Sequence, residues 1–192
     1  MASDSAVTDT GLPQLEPGVF TATASIVIDA PREVVWQVLM DWKSYHEWNP
    51  FVRNQCLTDA SKRPLPEAQQ SPRVGDYLYI YPVHIPPSFD SPRLLPASST
   101  FQMITVLDIQ NCRCSWVSVE YPKWMLRTER WQVLVEVDEG GGRKKTRYET
   151  KEVFNGPLAY VVSAVVGDGI KKGFVAMAEG LKKRSEEVPL DT

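Results

Sequence analysis

The chain has 192 residues, 43% of them hydrophobic and 23% charged, and carries a formal net charge of −3. This is ordinary globular composition for one domain large enough to bury a core and an internal cavity. Lys and Arg are scattered among Asp and Glu without a basic stripe, which excludes phosphate-backbone recognition and leaves nucleic acid out as a partner.

Residues 1–18, MASDSAVTDTGLPQLEPG, have neither a basic start nor an apolar h-region. They read as a flexible leader rather than a secretory signal, dispensable up to Pro17. The stretch VFTATASIVID (19–29) is rich in Val, Ile and Thr and alternates, so it is the first strand. Pro31 then opens a helix at its permissive first position, with Val34, Val35, Val38 and Leu39 on the apolar side. A second short helical segment follows Asp41. Pro50 ends that segment, because the residue before a proline is pushed out of the helical region, and Phe51 to Thr58 continues as a strand. Trp36, Trp42 and Trp48 supply the apolar area two short helices need to clamp against a sheet. His46 lies in this turn as a surface histidine.

The strand followed by APREVVWQVLMDWKSYHEWNPFV resembles the N-terminal signature of the SRPBCC superfamily, also called START/Bet v 1-like, which includes the polyketide cyclase/dehydrase-type proteins. Ala30, Pro31, Val35, Trp36, Leu39, Asp41, Tyr45, Trp48, Asn49, Pro50 and Phe51 fit it position by position. Glu152-Val153-Phe154-Asn155-Gly156-Pro157-Leu158 is similar to the superfamily's Glu-x-Phe-x-Gly entry to its final helix. The resemblance spans Val19 to Glu187. It implies an α+β helix-grip fold: a curved antiparallel sheet of about seven strands around a long C-terminal helix, two short helices after strand 1, and an internal hydrophobic cavity.

Beyond the motif, 59–73 and 84–97 are proline-laden loops of a length typical of lids, binding loops or mobile segments. Between them, 76–83 alternates as a strand, with Tyr77, Tyr79 and Tyr81 on one face and Leu78 and Ile80 on the other. Four β-like runs follow, 99–109, 112–120, 128–138 and 144–154, the last two joined by the hairpin signal Glu139-Gly140-Gly141-Gly142. Cys56, Cys112 and Cys114 lack redox or zinc spacing and read as small buried hydrophobes of a reduced, cytoplasmic protein.

Asn155-Gly156-Pro157 then starts a helix of about 28 residues at helical spacing of Leu158, Val161, Val162, Val165, Ile170, Phe174, Met177 and Leu181. Its glycines, Gly167, Gly169, Gly173 and Gly180, mark either a hinge or close approach to the sheet. The apolar run 158–166 is too short to cross a bilayer, so it is core or a membrane-surface contact. One domain spans 19–187, with 188–192 as a tail.

Alternation assigns candidate inward faces. After Leu126, Trp131, Val133, Val135 and Val137 form the apolar face, and Arg127 and Glu129 share its parity. Tyr148, Thr150 and Glu152 share parity with Phe154, and Cys114 shares a face with Trp116. The candidate catalytic residues are Glu129 and Glu152, as acid or base, with Arg127 and Tyr148 steadying an oxyanion. The competing reading is that these groups are exposed at strand ends or satisfy one another. The candidate ligand-binding residues are Trp131, Trp116, Tyr79, His84, Phe174 and Met177. No metal-ligand cluster or phosphate loop is present in the sequence, so neither metal nor cofactor is expected.

Two function classes follow from the resemblance. One is a cofactor-independent cyclase, dehydratase or isomerase of secondary metabolism acting on a polyketide-like metabolite. The other is a non-catalytic carrier of a lipid, sterol, terpenoid or similar hydrophobic molecule. Either would be a monomer or weak homodimer without stable membrane insertion.

Overall fold

The computed structural model describes residues 11–90, 98–138 and 144–188. Its elements are β1 (Phe20–Ile28), α1 (Arg32–Met40), α2 (Tyr45–Trp48), β2 (Gln55–Thr58), β3 (Tyr77–Val83), β4 (Ser98–Asp108), β5 (Arg113–Ser118), β6 (Arg127–Asp138), β7 (Lys144–Asn155) and α3 (Pro157–Glu186). The strands form one seven-stranded sheet in the order β1-β7-β6-β5-β4-β3-β2, every neighbouring pair antiparallel. This is the expected α+β architecture, with two short helices after β1 and one long helix across the sheet. The glycine-rich turn 139–142 lies outside the described residues.

The second strand is shorter than its sequence suggests. Phe51 and Val52 both donate their backbone N–H to Asn49 Oδ1 at 3.0 Å, so Trp48-Asn49-Pro50-Phe51 is a turn stapled by a fully buried asparagine. Val52 keeps only an isolated bridge to Val83, and regular pairing with β3 begins at Gln55.

At the other end, Pro157 takes the first turn of α3, where a missing N–H leaves no bond unmade. Gly156 before it has φ +97°, and a Cβ there would sit 2.5 Å from the Met125 carbonyl oxygen. The helix runs unbroken for 30 residues through Gly167-Asp168-Gly169, which decides between hinge and close approach. A Cβ on Gly173 would lie 2.3 Å from the Phe51 ring, so that glycine lets the turn and the helix touch.

The core is uneven along α3. Under its second half, Phe174, Met177 and Leu181 pack with Leu39, Tyr45, Trp36, Trp42 and Trp48, all buried. Under its first half, Leu158, Val162 and Val166 are only partly buried where they pack against that core. None of the described helices is long and apolar enough to cross a membrane.

The outer face of the sheet is also covered. Residues 11–18 run along it, so that Gly11 sits against Val133 and Val135, and Gly18 against Val153. Val133 is buried although it points away from α3. Removing residues up to Pro17 is therefore expected to lower stability by about 1–2 kcal/mol through exposure of that valine and its neighbours. Chemical denaturation checks this, and a variant starting at Gly18 with an unchanged midpoint would show that the cover contributes nothing.

Candidate functional site

A cavity of about 180 Å³ opens at one end of strands β3 to β7, against Ile170 in the first half of α3. Its apolar wall comes from Phe51, Val83, Leu126, Phe154 and Ile170, with Ile85 and Tyr121 nearer the surface. Its polar points are Glu152, Thr128, Ser118, Glu120 and the start of β4, Ser98 to Thr100. Antiparallel register explains how they converge: Thr128 lies opposite Phe154 and Arg130 opposite Glu152, and directly opposed residues share a face of the sheet.

Glu120 is held at the rim by Lys62 Nζ at 2.7 Å, which leaves Glu152 as the carboxyl aimed into the cavity without an ion pair among the described residues. Burial raises its pKa above the ordinary carboxylate range, against the pull of the nearby Arg130 guanidinium and Thr128 hydroxyl. Ser118 Oγ accepts the Thr128 N–H at 3.0 Å, fixing the two β-strands at the cavity floor.

Behind that floor stands Arg130, only 4% exposed. Its Nε donates to Thr150 Oγ1 at 3.3 Å and its Nη2 to Met177 Sδ at 3.2 Å. Its guanidinium carbon lies 4.2 Å from the Phe174 ring centroid and 6.0 Å from that of Trp116. A buried cation between two aromatic faces is stabilised by their quadrupoles, and Glu152 across the strand gives it a nearby opposite charge. Deeper still, the Tyr148 hydroxyl donates to Gln132 Oε1 at 2.6 Å, and Gln132 Nε2 reaches Cys114 Sγ at 3.8 Å. Burial pushes the Tyr148 phenol upward and the Cys114 thiol up to about 12, so neither ionises readily.

The structure separates the candidate residues. Glu152 lines the cavity and Tyr148 shares its face, as the β7 alternation requires, but Tyr148 is sealed in the core. The β6 face is the reverse of the expectation. Thr128, Arg130, Gln132 and Leu134 are the residues turned toward α3. Arg127, Glu129 and Trp131 lie on the outer face, where Arg127 pairs with Glu129 at 3.0 Å and the Trp131 indole N–H donates to Glu129 Oε1 at 3.0 Å. Arg127 and Glu129 line a small depression beside Gln14, Leu15 and Glu16. The physical reason is the covering segment 11–18: it buries the apolar parity of β6 on the side away from the helix.

Tyr79 is likewise on the outer face of β3, stacked on Tyr81 with centroids 6.1 Å apart and approached by Lys62. His84 is buried with its Nδ1 2.7 Å from the Ser88 carbonyl oxygen, a contact that holds the loop rather than facing the cavity. Trp116, Phe174 and Met177 point inward but pack around Arg130 in the filled part of the core. Sequence reasoning missed Arg130, Thr128 and Ser118, and their signal lay in the pairing of β6 with β7 rather than in β6 alone.

No family model matches the chain, and no curated protein matches it in sequence. Solved structures do match in three dimensions. A START superfamily protein from Mycobacterium smegmatis is 13% identical with a TM-score of 0.52, covering 87% of this chain and 97% of that one. Norcoclaurine synthase from Thalictrum flavum is 13% identical with a TM-score of 0.55, covering 91% and 98%. An aromatase/cyclase from Streptomyces sp. R1128 is 13% identical with a TM-score of 0.55, covering 86% and 93%. The chain has the helix-grip fold of the SRPBCC, or START/Bet v 1-like, superfamily.

Proposed function

We propose that the protein binds a small, predominantly apolar molecule in the cavity against the first half of α3, with Glu152 receiving its hydrogen-bonding end. The observation that carries this reading is a single carboxyl, free of any ion pair among the described residues, set in a wall of Phe51, Leu126, Phe154 and Ile170. A pocket of apolar walls with few polar points is the usual makeup of a small-molecule site. At about 180 Å³ it is smaller than the roughly 300–1,000 Å³ of sites for drug-sized ligands, which favours a compact ligand over an extended lipid.

A second reading is cofactor-independent acid–base chemistry, of the cyclase, dehydratase or isomerase kind, in secondary metabolism. It is favoured by the raised pKa of Glu152, since a carboxyl that stays protonated closer to neutrality is a better general acid. The match to an aromatase/cyclase and to norcoclaurine synthase supports it by fold alone. Of the four candidate catalytic residues, Glu152 is the one that lines the cavity. The reading therefore rests on Glu152, and on the carrier side the ligand is a terpenoid, polyketide or lipid fragment of matching size.

Native mass spectrometry of the purified protein identifies what it carries, and calorimetry then measures binding of that compound. Ile170→Trp fills the cavity from the helix side and is expected to weaken binding at least about tenfold, by sterically excluding the ligand. Unchanged affinity in a variant that still melts cooperatively would place the ligand elsewhere.

A further inference from the structure

We propose that the outward face of the first half of α3, together with the loop between β5 and β6, docks the protein peripherally on an anionic lipid bilayer. Helix stripes that face water are normally polar, and this one is not. Tyr160, Val161 and Val165 are 66%, 54% and 75% exposed, and Ala164 between them is exposed as well. Their spacing puts all four on one ridge pointing away from the sheet.

The neighbouring loop continues that surface. Trp124 is 71% exposed and Tyr121 43% exposed. The loop is fixed to the start of α3, because the Leu158 N–H donates to the Met125 carbonyl oxygen at 3.1 Å and Gly156 sits against the same carbonyl. Loop and helix are therefore tied together where the ridge begins. Trp and Tyr are the side chains enriched where water meets hydrocarbon, since each joins an apolar ring to a polar tip.

The charge around the patch fits one occupant. Lys123, Lys171 and Lys172 are exposed and make no ion pair among the described residues, Lys171 with its Nζ 5.5 Å from the Phe20 ring centroid, and they outnumber exposed Asp168, which follows Val165 on the same ridge and is the single acid on α3 before Glu179. The patch is thus locally positive on a chain whose formal net charge is −3. An apolar helix ridge rimmed by lysines and flanked by Trp is the pattern of an interfacial element that meets anionic headgroups. A protein partner seats its anchor side chains in pockets, and the cavities and grooves described for this chain are not lined by Tyr160, Val161, Ala164 or Val165. The patch also adjoins the cavity mouth, because Tyr121 belongs to both and Gly169 of α3 packs against Ile85 and Pro86 at the opening. The docking stands independently of what the cavity holds.

The test is flotation of the full chain with vesicles of phosphatidylcholine, with and without about 30% phosphatidylserine to supply the negative surface. The wild type is expected to float with the phosphatidylserine vesicles and much less with phosphatidylcholine alone. Val161→Glu/Val165→Glu is expected to cut partitioning about tenfold or more by placing charge at the hydrocarbon boundary, without shifting the melting transition of sites already exposed. Lys123→Glu/Lys171→Glu/Lys172→Glu is expected to abolish the preference for phosphatidylserine. A wild type that floats with neither vesicle, or a valine variant that floats as well as the wild type, overturns the proposal. So does sedimentation showing a dimer that the valine variant dissolves, which would make the face an interface between copies.

Discussion

Phe174→Ala is expected to lower stability by about 3–5 kcal/mol, the range for emptying a large buried aromatic site, and Trp131→Ala by less than half as much. Phe174 is fully buried at the centre of the filled half of the core, 5.9 Å from the Phe51 ring and directly beneath Arg130. Its removal leaves a void and also takes away the aromatic face that stabilises a buried guanidinium, so two penalties act at one position. Trp131 lies on the outer face, partly buried, with its indole N–H tied to Glu129 at the surface. Truncating it removes a cover over the sheet rather than a keystone under the helix, and water can fill the space. Urea denaturation measures both. Equal losses, or a loss below about 1 kcal/mol for Phe174, would mean that the two faces of β6 have been assigned the wrong way round.

That comparison also shows where sequence reasoning reaches and where it stops. The order of elements is readable because each carries a local signal: Ala30-Pro31 between β1 and α1, Asn49-Pro50 after α2, Gly156-Pro157 before α3. The face of β7 is readable too, since Phe154 must meet the helix and Tyr148, Thr150 and Glu152 follow its parity. For β6 the same alternation misleads. Trp131, Val133, Val135 and Val137 form its more apolar face, and an isolated strand with one solvated side would turn that face inward. Here both sides are covered, by α3 and by residues 11–18, so apolarity no longer distinguishes in from out. Only the register with β7 does, through Arg130 opposite Glu152 and Gln132 opposite Thr150. The sequence Glu139-Gly140-Gly141-Gly142 does not by itself select one loop length, which leaves that register open by one residue, and one residue is enough to exchange the faces. Thr128 and Ser118, ordinary residues in ordinary strands, become site residues only through that pairing.

Glu152→Gln is the substitution that distinguishes a carrier from an acid–base catalyst, and pH shows why. The folded protein holds this carboxyl above its ordinary range, because burial outweighs the attraction of Arg130 and Thr128 for the charged form. The unfolded chain titrates it at about 4.3. The native state therefore binds the proton more tightly, and the stability linked to Glu152 is fully present below the unfolded pKa and lost as pH rises through the folded one. Glutamine mimics the protonated form and has nothing to lose. The variant is expected to match the wild type below about pH 4 and to become progressively the more stable of the two as pH climbs from there to the folded pKa, above which the difference levels off. Arg130→Met, by removing a group that favours the carboxylate, is expected to raise the folded pKa further, so that the pH at which this loss levels off moves up. Denaturation midpoints across the acid-to-neutral range check both, and parallel curves for Glu152→Gln and wild type would remove the raised pKa on which the catalytic reading depends. If the protein is an enzyme, the same variant keeps the fold and most of the affinity but lowers turnover of a polyketide or terpenoid intermediate by about 10²–10⁴-fold, the contribution of a positioned general acid or base. Full turnover with glutamine at this position sinks the carboxylate mechanism, and binding without turnover in the wild type leaves the cavity to a carrier.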